Sequence, residues 1–264
     1  MEGFVAQVSD VGSRMRRVVL DVPMLADLNL PGIGDEAVGL YFPGEPDGRN
    51  YTIRRRGECE VTFDVVLHEH GVATGWARQA SPGDRLVLDH ARSWYRPEAT
   101  TDWQLLIADL SGLPALARIL EESTAGVAAS VIVEVADESD LDYLAVPPSV
   151  DVVTTIGTGN GCAASRLPEL VRAFPHPRGR GYCWFAGEAR ATREVRKHLR
   201  ADHGWNADQY DIVGYWRFES ETWDRRFEAV GDEMVAVYEQ ALAEGKGDKI
   251  ASEEFDLALE RVGL

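Results

Sequence analysis

RNYTIRRR, Arg49 to Arg56, gathers four arginines into one short segment of a 264-residue chain whose formal net charge is −17. Between the first arginine and the rest stands a Tyr–Thr pair. Side chains alternate along a strand, so Arg49, Tyr51 and Ile53 are expected on one face and Asn50, Thr52 and Arg54 on the other. Such a strand offers an aromatic surface for a flat ring at Tyr51 and a hydroxyl at Thr52. It also offers guanidinium groups at Arg49 or Arg54 that can fork onto a pyrophosphate. Those are the requirements of a flavin dinucleotide. A surface strand whose arginines balance nearby acids fits the same pattern.

The segments around it are short and strand-like. FVAQVS, RRVVLDV, VGLYFP, EVTFDVVLH and DRLVLD alternate with Gly, Pro and Asp turns from Phe4 to about Val87. Strands at this spacing predict a small antiparallel β-barrel. One short helix is expected from Thr74 to Ala80, stopped by Ser81-Pro82-Gly83. Beyond Pro97 the texture changes to apolar strands alternating with helices: WQLLIAD, SVIVEVAD, VDVVTTIG, GYCWFAG and QYDIVGYWRF. That order predicts a doubly wound, parallel α/β sheet. The tail repeats Trp223, Phe227, Val230, Met234, Val237 and Leu242 as one helical stripe, with GKGD breaking it before a shorter helix. The expected organisation is a barrel over 1–98, an α/β domain over 99–218 and an acidic helical extension over 219–264.

Composition narrows the function. A chain with 27 Lys and Arg against 44 Asp and Glu lacks the basic surface that nucleic acid or an anionic membrane demands. Three scattered cysteines argue against a disulfide framework, and His68 and His70 have no third ligand placed by spacing. Neither a secretory leader nor an apolar run of about 20 residues is present, so a cytoplasmic protein is expected.

R-x-Y-T-x-R followed by HGVATGWARQASPGDRL resembles the siderophore-interacting protein family, FAD-dependent ferric-siderophore reductases related to the ferredoxin reductases. VSDVGSRMRRVVLDVP, WFAGEARATREVRKHL and GYWR extend the similarity over roughly residues 3 to 218. The resemblance implies that Arg49, Tyr51 and Thr52 hold FAD, with Arg54 as an addition. It also implies that the segment with His70, Gly71, Ala73, Thr74 and Trp76 receives the pyrophosphate through the amides of Ala73 and Thr74. Small residues at a helix start suit that task, because amides and dipole both favour negative charge there.

The implied electron donor is NADPH or NADH. ADLSGLPALARIL opens the α/β domain, with Asp109 and Ser111 before a helix start at Leu113-Pro114. The family more usually has an acidic residue at the position of Leu110. Gly187 and Glu188 end the fourth strand of the domain, and Arg193 and Arg196 on the next helix could meet a 2′-phosphate. Asp137 and Glu138 favour a free ribose diol instead. GTGNG (157–161) follows the third strand of the domain, not the first, and is read as a flexible loop. At the substrate side Gly39 stands where the family often has lysine. His90, Arg92, Trp94, Tyr95 and Arg96 form an unusual loop, and Trp216 and Arg217 lie in GYWR; Arg92 and Arg217 are the expected substrate cations. The expected partner is a ferric siderophore, accepting electrons passed from NAD(P)H through FAD. Alternatives are another organic acceptor in a biosynthetic pathway, or a binding protein without catalysis.

Overall fold

Inward-facing valine, leucine and phenylalanine build the first half. A computed structural model describes residues 1–69, 71–123 and 127–264. The first strands are β1 (Glu2–Val11), β2 (Met15–Asp21), β3 (Ala37–Tyr41), β4 (Arg49–Thr52), β5 (Arg55–Arg56) and β6 (Glu60–Val66), followed by helix α1 (Val72–Gln79) and β7 (Arg85–Arg92). They form one sheet in the order β4-β3-β7-β1-β2-β6-β5. Its pairings are antiparallel. Val18, Leu20, Val61, Phe63 and Val65 are buried in its core, while Arg17, Thr62 and Asp64 alternate to the other face.

The two end strands of that order, β4 and β5, are consecutive in the chain and separated only by Ile53 and Arg54. Both edges of the sheet are therefore drawn together at RNYTIRRR. Ile53 N donates to Glu36 O at 2.8 Å and Arg54 N donates to Thr62 O at 2.7 Å, which completes the closure. The strand itself ends at Thr52. Thr52, Ile53 and Arg54 are buried in succession, so Ile53 and Arg54 are a connection between strands, not an extension of one. Arg55 and Arg56 form the short strand β5 against β6 and remain exposed.

The second half holds β8 (Trp103–Ala108), α2 (Leu113–Glu122), β9 (Ala128–Val135), β10 (Asp151–Ile156), α3 (Leu167–Ala173), β11 (Gly181–Glu188), α4 (Ala189–Ala201) and β12 (Tyr210–Trp216). The sheet order is β10-β9-β8-β11-β12, with parallel pairing of β10 to β9, β9 to β8 and β8 to β11. Leu105, Ile107, Cys183 and Phe185 face one apolar layer, and Leu106, Ala108, Tyr182 and Trp184 face the other. The apolar strand β10 differs from a buried strand: at the sheet edge it leaves Val152, Val153 and Ile156 exposed.

The chain forms two compact units, Met1–Tyr215 and Trp216–Leu264. In the second, α5 (Ser220–Phe227), α6 (Gly231–Ala243) and α7 (Gly247–Arg261) share a core of Met234, Ala258, Leu259 and Leu264, with Trp223 stacked on Phe227 at 4.7 Å. Leu242 and Val262 lie outside that core and are exposed. Among the described residues no helix is long and apolar enough to cross a membrane.

Candidate functional site

Register places β4, which carries the RNYT segment, near the expected substrate cation. Ala37 of β3 pairs with Thr52 of β4 on one side and with Arg92 of β7 on the other. Thr52 and Arg92 thus lie in one row, two strand spacings or roughly 10 Å apart. Arg49 and Arg92 are exposed, and neither has an ion-pair partner among the described residues. Beside the Thr52 hydroxyl lies the phenol of Tyr215, whose oxygen is buried without a well-formed hydrogen bond. Burial pushes that phenol well above its ordinary pKa, so it stays protonated and able to donate.

Helix α1 starts at Gly71, whose φ of 126° is open to glycine and strained for other residues. Among the described residues a Cβ there would meet nothing within 4 Å, and none caps the helix with its side chain. The Thr74 hydroxyl bonds Val66 O at 3.3 Å and accepts from His68 N at 3.2 Å, which ties the helix start to the end of β6. The side chain of Thr74 is thereby used within the fold, and the first-turn amides remain uncapped by side chains. His70 lies outside the described residues.

Three expected cofactor residues make contacts within the fold. Arg54 is 5% exposed and grips Glu121 of α2 with both ends of its guanidinium, Nη1 to Oε2 at 2.7 Å and Nη2 to Oε1. It joins barrel to α/β sheet, and its guanidinium is not open to a pyrophosphate. Trp76 packs on Phe42 at 5.3 Å and stacks on Phe63 at 6.5 Å as part of the barrel core. Tyr51 belongs to the same aromatic group, edge-on to Phe42 at 5.8 Å. The remaining arginines of the motif, Arg55 and Arg56, line a separate concavity of about 500 Å³ with Gln7, Arg17, Glu60 and Thr62.

The topological switch point of the second sheet lies at the ends of β8 and β11, where the strand order reverses direction; open α/β sheets bind ligands in the crevice at such points. Asp109 is 1% exposed, and its Oδ1 accepts from Ser111 N at 2.9 Å and Ser111 Oγ at 2.6 Å. Ser111 is therefore turned onto Asp109 and shapes the loop. A Cβ on Gly187 would come within 2.9 Å of Asp109 Oδ2, so glycine is what lets the two strand ends lie together. Glu188 caps α4, its Oε2 accepting from Arg190 N at 2.8 Å and Ala191 N at 2.9 Å. Asp137 likewise caps its own turn through Ser139 N at 3.0 Å, away from the ribose role.

The GTGNG loop is not the flexible segment expected. Asn160 Oδ1 accepts from Leu110 N at 2.9 Å, while its Nδ2 donates to Glu134 O at 3.1 Å. Buried Glu134 holds Thr158 Oγ1 at 2.8 Å and Arg166 N at 2.7 Å. The loop therefore braces the crevice from the third strand of the sheet. On the substrate side, a Cβ at Gly39 would meet Asp89 Oδ1 at 2.5 Å and His90 Cε1 at 2.6 Å. Those residues fill the space a longer side chain would need. Trp94 and Tyr95 are fixed by buried Asp35, which accepts from both backbone amides, from Ser93 Oγ and from Trp184 Nε1 at 2.7–3.1 Å. Arg217 stacks 4.0 Å from the Trp223 ring within the C-terminal unit, and Trp216 closes β12.

Models of a siderophore-interacting FAD-binding domain and a siderophore-interacting protein match residues 44–92 and 101–219. A Mycobacterium tuberculosis protein of uncharacterised function is 32% identical over 196 residues, 69% of each chain. The chain belongs to the siderophore-interacting protein family. An NADPH-dependent ferric-chelate reductase of Escherichia coli is 26% identical over 190 residues, covering 70% of this chain and 72% of that one. The siderophore-interacting protein structure from Acinetobacter baumannii covers 88% of this chain and 98% of its own, with a TM-score of 0.74 at 22% identity, and shares the fold.

FAD is the cofactor of this family's barrel domain. The residues present fit it: an exposed arginine without an ion pair among the described residues, the buried phenol of Tyr215 from β12 beside the Thr52 hydroxyl, and a helix start open to close approach lie in one unit. Tyr215 was missed from sequence. The burial of its oxygen beside Thr52 is a property of packing, and no motif position announces it.

Proposed function

We propose that the protein is a flavin-dependent reductase that passes electrons from NADPH through FAD to a ferric siderophore, releasing iron as the ferrous ion. Residues 1–98 form the flavin domain, 99–218 the nicotinamide domain and 219–264 the acidic helical extension. FAD held here would supply the conversion of a two-electron donor into one-electron steps toward iron. Arg49 neutralises the pyrophosphate, the amides at the start of α1 receive it, and Thr52 with Tyr215 supplies hydroxyls to the polar edge of the ring. The strand ends at Asp109 and Gly187 would receive the nicotinamide. Arg92 attracts the anionic chelate.

One observation carries this reading. Helix α2 begins in the β8–β11 crevice and its last turn ends on the segment that directly follows Thr52, so one element spans the two sites. NADPH is favoured over NADH because Asp137 is occupied in its own cap, whereas Arg193 and Arg196 stand on α4. A second reading, reduction of a different organic acceptor, draws on Asp89 and His90 filling the space beside Gly39. The test is anaerobic: FAD-loaded protein is mixed with NADPH or NADH, then with a panel of ferric siderophores and a ferrous trap. Bleaching of the flavin followed by ferrous capture is expected. Bleaching without ferrous capture favours the second reading, and no bleaching refutes both.

A further inference from the structure

Helix α2 ends in a cluster of charge that a helix lying on an apolar core does not require. Arg118 is 7% exposed, and its guanidinium spans both halves of the unit. Nη1 donates to the backbone carbonyl of Ile53 at 2.7 Å and lies 2.9 Å from Glu36 Oε1; Nε donates to Glu122 at 2.6 Å. Glu36, fully buried, also accepts from Gly32 N at 2.8 Å. One residue on, Arg54 is gripped by Glu121. The connection from Thr52 to Arg55 is thus held by the barrel on one side, through Glu36 O and Thr62 O, and by α2 on the other.

We infer that Arg118 is a positioning residue: it fixes the separation between the flavin strand and the nicotinamide crevice, and so the rate of hydride transfer. The inference rests on the nicotinamide-to-flavin reading above. Helix α2 has ten residues and is roughly 15 Å long. Its start is seated tightly, because Gly112 leaves no room for a side chain against Ala186 O. Its end is seated on Ile53 O. With both ends fixed, the crevice and Thr52 have a defined spacing, and reactions between bound groups are steeply sensitive to such spacing: about 1 Å of misplacement can cost a hundredfold. A purely structural ion pair would need only Glu36. The bond to the main chain next to Thr52 is what a positioning role adds. Lysine keeps the charge but cannot reach a carbonyl and two carboxylates at once, since it lacks the planar fork.

The test compares R118K and E36Q with the parent, all as FAD-loaded full-length protein. Four quantities are measured: FAD affinity by fluorescence quenching, thermal midpoint, NADPH affinity from the flavin absorbance change with oxidised NADP, and anaerobic flavin reduction at saturating NADPH. R118K is expected to hold FAD and NADP within about twofold and to reduce flavin at least tenfold more slowly. E36Q, which keeps the Arg118–Ile53 bond, is expected to lose thermal stability and retain its reduction rate. A parental rate in folded R118K overturns the inference. So does a loss in E36Q equal to that in R118K, because the ion pair alone would then be responsible. A parent that is not reduced by either nicotinamide overturns the functional reading and this inference with it. If R118K fails to fold, R118M combined with E36Q removes both buried charges, and the same rate comparison decides.

Discussion

Gly112→Ala tests whether helix α2 is seated as closely as the crevice implies. An added Cβ would lie 2.4 Å from Ala186 O and 3.0 Å from the Ala108 Cβ. Ordinary carbon-to-oxygen contact begins near about 3.3 Å, so something must yield by roughly 0.9 Å. The obstructing oxygen belongs to the backbone of β11, paired in the middle of a parallel sheet, and cannot swing aside. Overpacking costs about 1–3 kcal/mol, and a main-chain obstacle belongs at the upper end, about 3 kcal/mol. In a unit of this size each kcal/mol lowers the melting midpoint by roughly 2–4 °C, giving a fall of about 6–12 °C. The assay is thermal unfolding by circular dichroism, with nicotinamide affinity measured on the same sample. Gly75→Ala is the control. It lies within α1, a Cβ there meets nothing within 4 Å, and removing backbone freedom should raise stability by about 0.5–1 kcal/mol. A fall of less than roughly 2 °C in G112A with unchanged nicotinamide affinity would refute the close seating of α2.

Arg49→Ala should weaken FAD binding by about 10- to 100-fold, the loss of one charge-assisted bond of roughly 1.5–3 kcal/mol, read by flavin fluorescence; unchanged affinity removes Arg49 from the site. Arg54 holds the Glu121 carboxyl below its ordinary range, so the pair stabilises above the unfolded pKa and loses that contribution as pH falls through the folded one. E121Q should therefore be less stable than the parent in urea at pH 7 and converge with it in acid. A constant gap across pH would show the carboxylate charge to be irrelevant. His176 stacks on His203 at 3.9 Å, and burial with the neighbouring histidines lowers its pKa to about 4. The unfolded chain takes up that proton first, so stability should decline as pH falls from about 6.5 to about 4. Replacing His176 with phenylalanine should flatten that part of the urea midpoint profile, and an unaltered slope would assign it to other groups.

Much of the architecture was legible without coordinates, because strand and helix periodicity is local. Alternation in β2 and β6, the apolar runs of β8 and β11, and Pro114 at the start of α2 each declare themselves within a few residues. Arg49 is exposed without an ion pair among the described residues and Gly71 opens a helix at a positive φ, both compatible with the roles the sequence pattern suggests for them. Residues with remote partners were not legible. By chemistry alone Arg49 and Arg54 could each fork onto a pyrophosphate, with Arg54 the addition to the motif, yet Arg54 pairs with a glutamate 67 positions away. Glu188 and Asp137 looked like ligand carboxylates and are helix and turn caps, a choice settled by the local backbone path.

By itself the sequence determined two sheets of different kind, their order along the chain, and a basic aromatic strand suited to a flavin in an otherwise acidic protein. Only the tertiary structure decided what each charge does. Arg118 meets the Ile53 carbonyl across 65 positions, and Asp35 meets Trp184 across 149. A buried charge must find its partner wherever the fold brings one, and that pairing depends on distance in space, about which spacing along the chain is silent.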